Sequence, residues 1–264
     1  MTFPGRPLPG SQHDREIHEN LEAWKRKPLL REVYRDFHRL LARYVAQDRE
    51  AVTLELGSGI GSIKETLPDC MTSDMFPNPW LDRLENAYAL SWGAGTVTNL
   101  ILFDVWHHLQ YPGTALKEFA RVLRPRGRLL LLDPDMGLLG RIIYGLLHHE
   151  PLGFGGRIAW HAPNDFDPKD APYFAAQASA HRIFYRREHT GWMRDWSLVH
   201  LQRMASLTYV ASGGFRGPQL YPARLLPYVR MLDGAFSQWP KMFATRIVVV
   251  LERKAEEPTP ATMS

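Results

Sequence analysis

Apolar residues along the chain follow two rhythms, and the change between them marks out the elements. From residue 16 to 47 they recur at helical spacing: Leu30, Val33, Tyr34, Phe37, Leu40, Leu41 and Tyr44 share one face. Pro28 divides this stretch into two helices, because proline suits the first turn of a helix and breaks its interior. From residue 51 short apolar runs replace the helical repeat. Residues 51–56, 70–74, 97–103 and 128–132 read as buried strands, with helices over 62–67 and 114–123 between them. Strands apolar on both faces and separated by helices predict an α/β fold with a doubly wound, mostly parallel sheet. Beyond Asp133 the rhythm breaks. Residues 137–190 mix helix-like pieces with Gly-Gly and Pro turns, aromatics and histidines, which predicts an insertion after strand five. Residues 206–210 and 245–252 are expected as closing strands.

The expected organisation is therefore a flexible lead over 1–14 and an N-terminal helical cap over 15–48. A cofactor-binding core over 49–136 follows, then a lid or substrate insertion over 137–204. Strands and a helix over 205–253 complete the core, and 254–264 form a disordered tail. The 264 residues are 45% hydrophobic, enough to build a sizeable core. The single cysteine, Cys70, excludes an internal disulfide framework and a multi-cysteine metal site, and predicts a reducing, cytoplasmic setting. The Pro- and Gly-rich start is not a secretory signal. The longest apolar stretch is interrupted by Asp133, Asp135 and Arg141, so no membrane span is expected. A net charge of +4 without a block of like charges makes nucleic acid an unlikely partner.

The chemistry concentrates at the end of the first strand, in Glu55-Leu56-Gly57-Ser58-Gly59-Ile60-Gly61. Alternate glycines let the backbone turn sharply and admit a ligand close to it, and the acid ahead of them offers a counter-charge. A dinucleotide fingerprint needs its third glycine where Ser62 stands, so the spacing points elsewhere. Asp74 lies 17 residues after Gly57, at the end of the second strand, where a carboxylate can accept two ribose hydroxyls. As a purely structural alternative, Glu55 and Asp74 would cap helices and the glycines would serve only the turn.

The run from Glu55 to Gly61 resembles motif I of the class I S-adenosylmethionine (SAM)-dependent methyltransferases. Asn86-Ala87 with Leu90 stands where that family carries an Asp-Ala-x-x-Leu-Pro segment. The segments from Leu100 to Leu109 and from Glu118 to Arg128 are similar to its fourth-strand motif and to the helix-turn-strand before strand five. The resemblance spans roughly residues 50–135 and is closest to the type 11 members, which include quinone-biosynthesis methyltransferases. It implies a seven-stranded Rossmann-like sheet and SAM as cofactor. The cofactor would be held by Glu55, Leu56, Gly57, Ser58, Gly59, Gly61, Asp74, Met75, Asn86, Ala87, Asp104 and Val105. Asn86 replaces the family's aspartate, and Arg126 replaces a common glycine before strand five.

Methyl transfer from a sulfonium is an in-line displacement that needs a positioned acceptor and, for a hydroxyl, a base. His107 and His108 follow the fourth strand directly, and His149 begins the insertion; these are the candidate catalytic groups. No metal site is expected, because no pair of histidines has ligand spacing on one helix. The insertion's Trp160, Tyr173, Phe174, Phe184, Tyr185, Trp192 and Trp196, with its arginines, suggest a small-molecule or saccharide acceptor, with O-methylation favoured. The alternatives are a non-catalytic binding protein of the same fold or an RNA methyltransferase. The sequence is silent on oligomeric state.

Overall fold

A computed structural model describes residues 10–48, 50–146, 150–171 and 173–255, with only the backbone at 10–14. The helices are α1 (Gly10–Arg26), α2 (Pro28–Ala42), α3 (Pro112–Val122), α4 (Leu138–Leu146), α5 (Leu207–Ser212), α6 (Leu226–Phe236) and α7 (Pro240–Phe243). The strands are β1 (Thr53–Leu56), β2 (Met71–Asp74), β3 (Arg83–Leu84), β4 (Val97–Phe103), β5 (Leu123–Pro134), β6 (Trp196–Met204) and β7 (Arg246–Arg253). They form one seven-stranded sheet in the order β3-β2-β1-β4-β5-β7-β6. Neighbours from β3 to β5 run parallel, and β7 is antiparallel to both β5 and β6.

Period-two alternation divides the central strands between two cores. Leu100 and Leu102, Leu129 and Leu131, and Ile247, Val249 and Leu251 face α3, Trp106, Phe184, Trp192 and Trp196. Ile101 and Phe103, Leu130 and Leu132, and Val248 and Val250 face Leu30, Val33, Tyr34, Phe37 and Leu41 of α2. Each buried aliphatic side chain contributes about 1.5–3 kcal/mol, so the continuous burial of β4, of residues 129–134 in β5 and of 246–251 in β7 holds the sheet. Pro28 takes the first turn of α2, as its position in the sequence suggests.

Three departures from the sequence reading bear on the site. The helix expected over 62–67 is a single 3₁₀ turn, Ser62–Glu65, and no helix links β2 to β3. Pro77 and Pro79 keep that second link from forming a helix, and Asn78 ties it down by donating to the Gly59 carbonyl at 3.0 Å. Residues 206–210, expected as strand, belong instead to α5, because the Asp233 carboxylate of α6 accepts the Leu207 and Thr208 amides and caps the helix. Finally, β6 occupies the last part of the segment expected to be lid. As a half-exposed edge strand it lacks the continuous apolar run that marks the buried ones. The flexible lead is helical from Gly10, and residues 1–9 and 256–264 lie outside the described residues.

Candidate active site

The glycine loop leaves β1 with Gly57, Gly59 and Gly61 all in the left-handed region, at φ of 68°, 52° and 68°. Two of these positions require glycine twice over. A Cβ on Gly57 would lie 2.4 Å from Val105 Cγ2, and one on Gly61 would lie 3.0 Å from the Trp80 carbonyl. A Cβ on Gly59 would meet nothing within 4 Å, so the loop opens at its middle. The loop is stitched to β2. Ser58 Oγ accepts the Ser73 amide at 3.0 Å and Ser73 Oγ donates to the Glu55 carbonyl at 2.7 Å, which commits the Ser58 hydroxyl to the scaffold.

Glu55 is only 4% exposed, and its Oε2 has no hydrogen-bond partner among the described residues. Burial pushes this carboxyl up to about 7, with the neighbouring charge of Asp74 adding to the effect. Asp74 closes β2 alongside, and its carboxylate accepts the Gly59 amide at 3.4 Å. Leu56 is buried at the strand end, while Met75 is 46% exposed beyond it. Asn86 is used at both ends of its amide. It accepts from the Tyr88 amide at 2.9 Å and donates to the Pro168 carbonyl of the insertion at 2.8 Å. Ala87 packs at the border of the first core. Helix α1 approaches the same edge, with the His18 ring set edge-on to Trp80 at 6.0 Å.

Asp104 ends β4 at a positive φ of 55°, and its carboxylate pairs with the buried Arg246 guanidinium. That guanidinium also lies 4.3 Å from the centre of the Tyr209 ring. Arg126, in the place of a common glycine, has φ 63°, so the backbone there is glycine-like with a side chain attached.

Val105 covers Gly57, and the imidazoles of His107 and His108 follow it on a 3₁₀ turn, Trp106–His108. His107 Nδ1 meets the Asp133 carboxylate at 2.9 Å, while His108 Nδ1 meets the Phe174 carbonyl at 2.9 Å. Their Nε2 atoms both face Glu150, at 3.6 and 3.9 Å. Glu150 is itself held by the Tyr173 hydroxyl and the Gln177 amide. Burial pulls His107 down, but Asp133 and Glu150 outweigh it and leave the imidazole raised to about 10. Burial and the neighbouring His107 take His108 the other way, to about 4. His149, the third candidate, lies outside the described residues.

Sequence reasoning missed Asp133, Glu150, Tyr173 and Gln177 as a group. Asp133 counted only as a break in an apolar stretch, yet a fully buried carboxylate at a strand end is itself a signal of a partner. Most aromatics of the insertion are core. Phe184, Trp192 and Trp196 are buried, and Trp160 stacks on His189 at 3.9 Å. Arg182 is spent on Glu188 and two carbonyls. Tyr173, 48% exposed and 5.4 Å from the His108 ring, is the aromatic that stays open beside the imidazoles.

No curated protein matches the sequence significantly. Residues 54–131 match the family model described as "Methyltransferase domain". Among solved structures, the methyltransferase chain complexed with the Haloferax volcanii Trm112 methyltransferase activator superposes with a TM-score of 0.55 at 12% identity, covering 93% of this chain and 97% of that one. A SAM-dependent methyltransferase of Thermotoga maritima gives 0.48 at 12% identity, covering 90% and 99%. A Streptomyces coelicolor geranyl diphosphate C-methyltransferase gives 0.46 at 9%, covering 83% and 78%. The first of these likenesses, at a TM-score of 0.55, supports the fold, and the family match over 54–131 falls on the glycine loop, Asp74 and the β4 edge. Residues 54–131 of this chain thus match a methyltransferase domain and lie within a sheet of the Rossmann-like methyltransferase fold.

Proposed function

We propose that this protein binds SAM across the β1 and β2 edge and methylates a hydroxyl of a small-molecule acceptor at the β4 edge. The observation that carries the reading is Glu55. A buried carboxylate with an unpartnered oxygen beside an open glycine loop is costly unless a cationic ligand completes it. The amino group of SAM's methionine part is such a cation, so the residues fit the cofactor. Asp74 suits the ribose hydroxyls. The adenine amino group would find backbone rather than the Asn86 Oδ1, which already accepts the Tyr88 amide. SAM supplies a methyl group on a positively charged sulfur, which needs no further activation.

The chain's own residues then orient the acceptor. Val105 ties the glycine loop to the His107–His108 turn, so donor and acceptor edges share one rigid support. His108 and Glu150 offer the proton acceptors for a hydroxyl, and Asp133 fixes the neighbouring ring of His107. Tyr173 gives an aromatic face beside them, which favours an aromatic or apolar acceptor with a polar handle. A saccharide acceptor is favoured less, because Phe184, Trp192 and Trp196 are buried and Trp160 is stacked on His189.

Calorimetric titration with SAM and with its demethylated product tests the reading. One site per chain is expected for both. Absence of binding at high micromolar ligand overturns it. Among the described residues no helix is long and apolar enough to cross a membrane, so the titration needs no detergent on that account.

A further inference from the structure

The arrangement of His107, His108 and Glu150 is more than an ion pair needs. Both imidazoles turn Nε2 toward one carboxylate, His107 to Glu150 Oε2 at 3.6 Å and His108 to Glu150 Oε1 at 3.9 Å. These separations exceed a charge-assisted hydrogen bond of about 2.7–2.9 Å. They lie close to the roughly 3.3 Å between neighbouring donor atoms around a tetrahedral ion with bonds of about 2.0–2.1 Å. The three donor atoms lie within 4.8 Å of one another.

The surroundings have the form of a second coordination shell. Each imidazole gives its Nδ1 to an acceptor, Asp133 for one and the Phe174 carbonyl for the other. Such bonds fix the tautomer that leaves Nε2 as the donor toward a metal. Glu150 is braced by Tyr173 and Gln177 from a third segment. The two rings lie 4.1 Å apart, an ordinary approach for two ligands of one ion. The alternative grouping of Asp104, His107 and Asp133 is unsuitable. It would use an imidazole nitrogen already bonded to Asp133 and a carboxylate already paired with Arg246.

We propose that His107, His108 and Glu150 bind a divalent transition-metal ion, of which Zn²⁺ is the natural probe. Two imidazoles and one carboxylate are a set zinc accepts with a fourth position left open. The His108 side chain is 33% exposed, so that position faces solvent and the acceptor side. An oxygen of the acceptor taken up there would be oriented and acidified by the ion, which would replace His108 and Glu150 as proton acceptors, the proton passing to solvent. That role rests on the methyltransferase reading, whereas the metal site does not. The absence of ligand spacing within one helix argued against a metal from sequence. The ligands come instead from the turn after β4 and from the segment after α4.

The full chain, stripped with a chelator, is titrated with Zn²⁺ against a competing indicator, without SAM. One equivalent per chain is expected, and Co²⁺ should give the intense visible bands of a four-coordinate site. His108→Ala and Glu150→Gln should each weaken Zn²⁺ binding by about 100-fold or more. His200→Ala, which alters an imidazole stacked on Tyr44 far from the cluster, should leave it unchanged. Thermal melting by circular dichroism identifies a variant that has not folded, and the other variant then carries the test. The proposal is overturned if the wild-type chain takes up no Zn²⁺, or if a folded His108 or Glu150 variant binds as wild type does. The SAM titration, run without Zn²⁺, fails or succeeds separately.

Discussion

The donor and acceptor edges each contain a buried carboxylate, in opposite circumstances. Asp133 meets the His107 imidazole at 2.9 Å, and that ring is held charged by it. Glu55 makes no ion pair among the described residues, and burial holds its proton on to about 7. Asp133 has a cationic partner within the folded chain, and Glu55 has none among the described residues. Substitutions at the two carboxylates should therefore behave differently, although both sit at strand ends under similar burial.

The largest effect is expected at Asp133. Removing it as Asp133→Ala leaves the His107 imidazole buried against Glu150 alone and should cost about 3–5 kcal/mol. Denaturant unfolding measures this, and a loss under about 1 kcal/mol would show that the pair adds little.

Next comes a pH effect at Glu55. Its folded pKa of about 7 lies above the ordinary carboxylate value of 4.5, so the folded chain keeps a proton the unfolded chain has lost. Its contribution to stability is therefore fully present below the unfolded value and falls as pH rises toward the folded one. The total change is about 3 kcal/mol. Unfolding curves at roughly pH 5 and roughly pH 8 should show this slope in the wild type, and Glu55→Gln should flatten it. An identical slope in both proteins would mean that other groups carry it.

A smaller loss, about 2 kcal/mol, is expected for Gly57→Ala, which forces a side chain into a left-handed position and against Val105. Because Val105 leads into the histidine turn, the acceptor edge should be disturbed as well. Amide exchange of His107 and His108 should quicken together with that of the glycine loop. Quickening confined to the loop would show that the edges are mechanically separate.

The same contrast explains what could be read from sequence. The donor edge is contiguous with its strands. Glu55, the three glycines and Asp74 announce themselves through spacing, because strand ends and left-handed turns restrict residue type locally. The sheet was legible for the same reason, since β4 and β5 are apolar on both faces. The acceptor edge gathers residues 107–108, 133, 150 and 173–177 from four segments, and no periodicity links them. Asn86 and Ser58 were legible as positions, but not in their bonding, which depends on Pro168 and Ser73 across the fold. The helix after β1 was over-read: the segment expected as helix over 62–67 forms only the 3₁₀ turn Ser62–Glu65 ahead of Pro68.

The smallest expected effect discriminates most sharply, because it tests the incomplete edge directly. Glu55→Gln keeps the shape of the side chain and removes its ability to carry charge. If the carboxylate meets the ligand's amino group, SAM affinity should fall by about 10-fold, equivalent to about 1.4 kcal/mol, at neutral pH. The pH profile gives the reason. In the wild type, affinity should rise as Glu55 ionises through about 7 and decline as the ligand amine loses its proton at about 8. The variant should lose the rising limb and keep the decline. Calorimetry across that range reads both limbs, and a rising limb surviving in Glu55→Gln would assign the cation's partner to another group, with Asp74 the nearest carboxylate on the same edge.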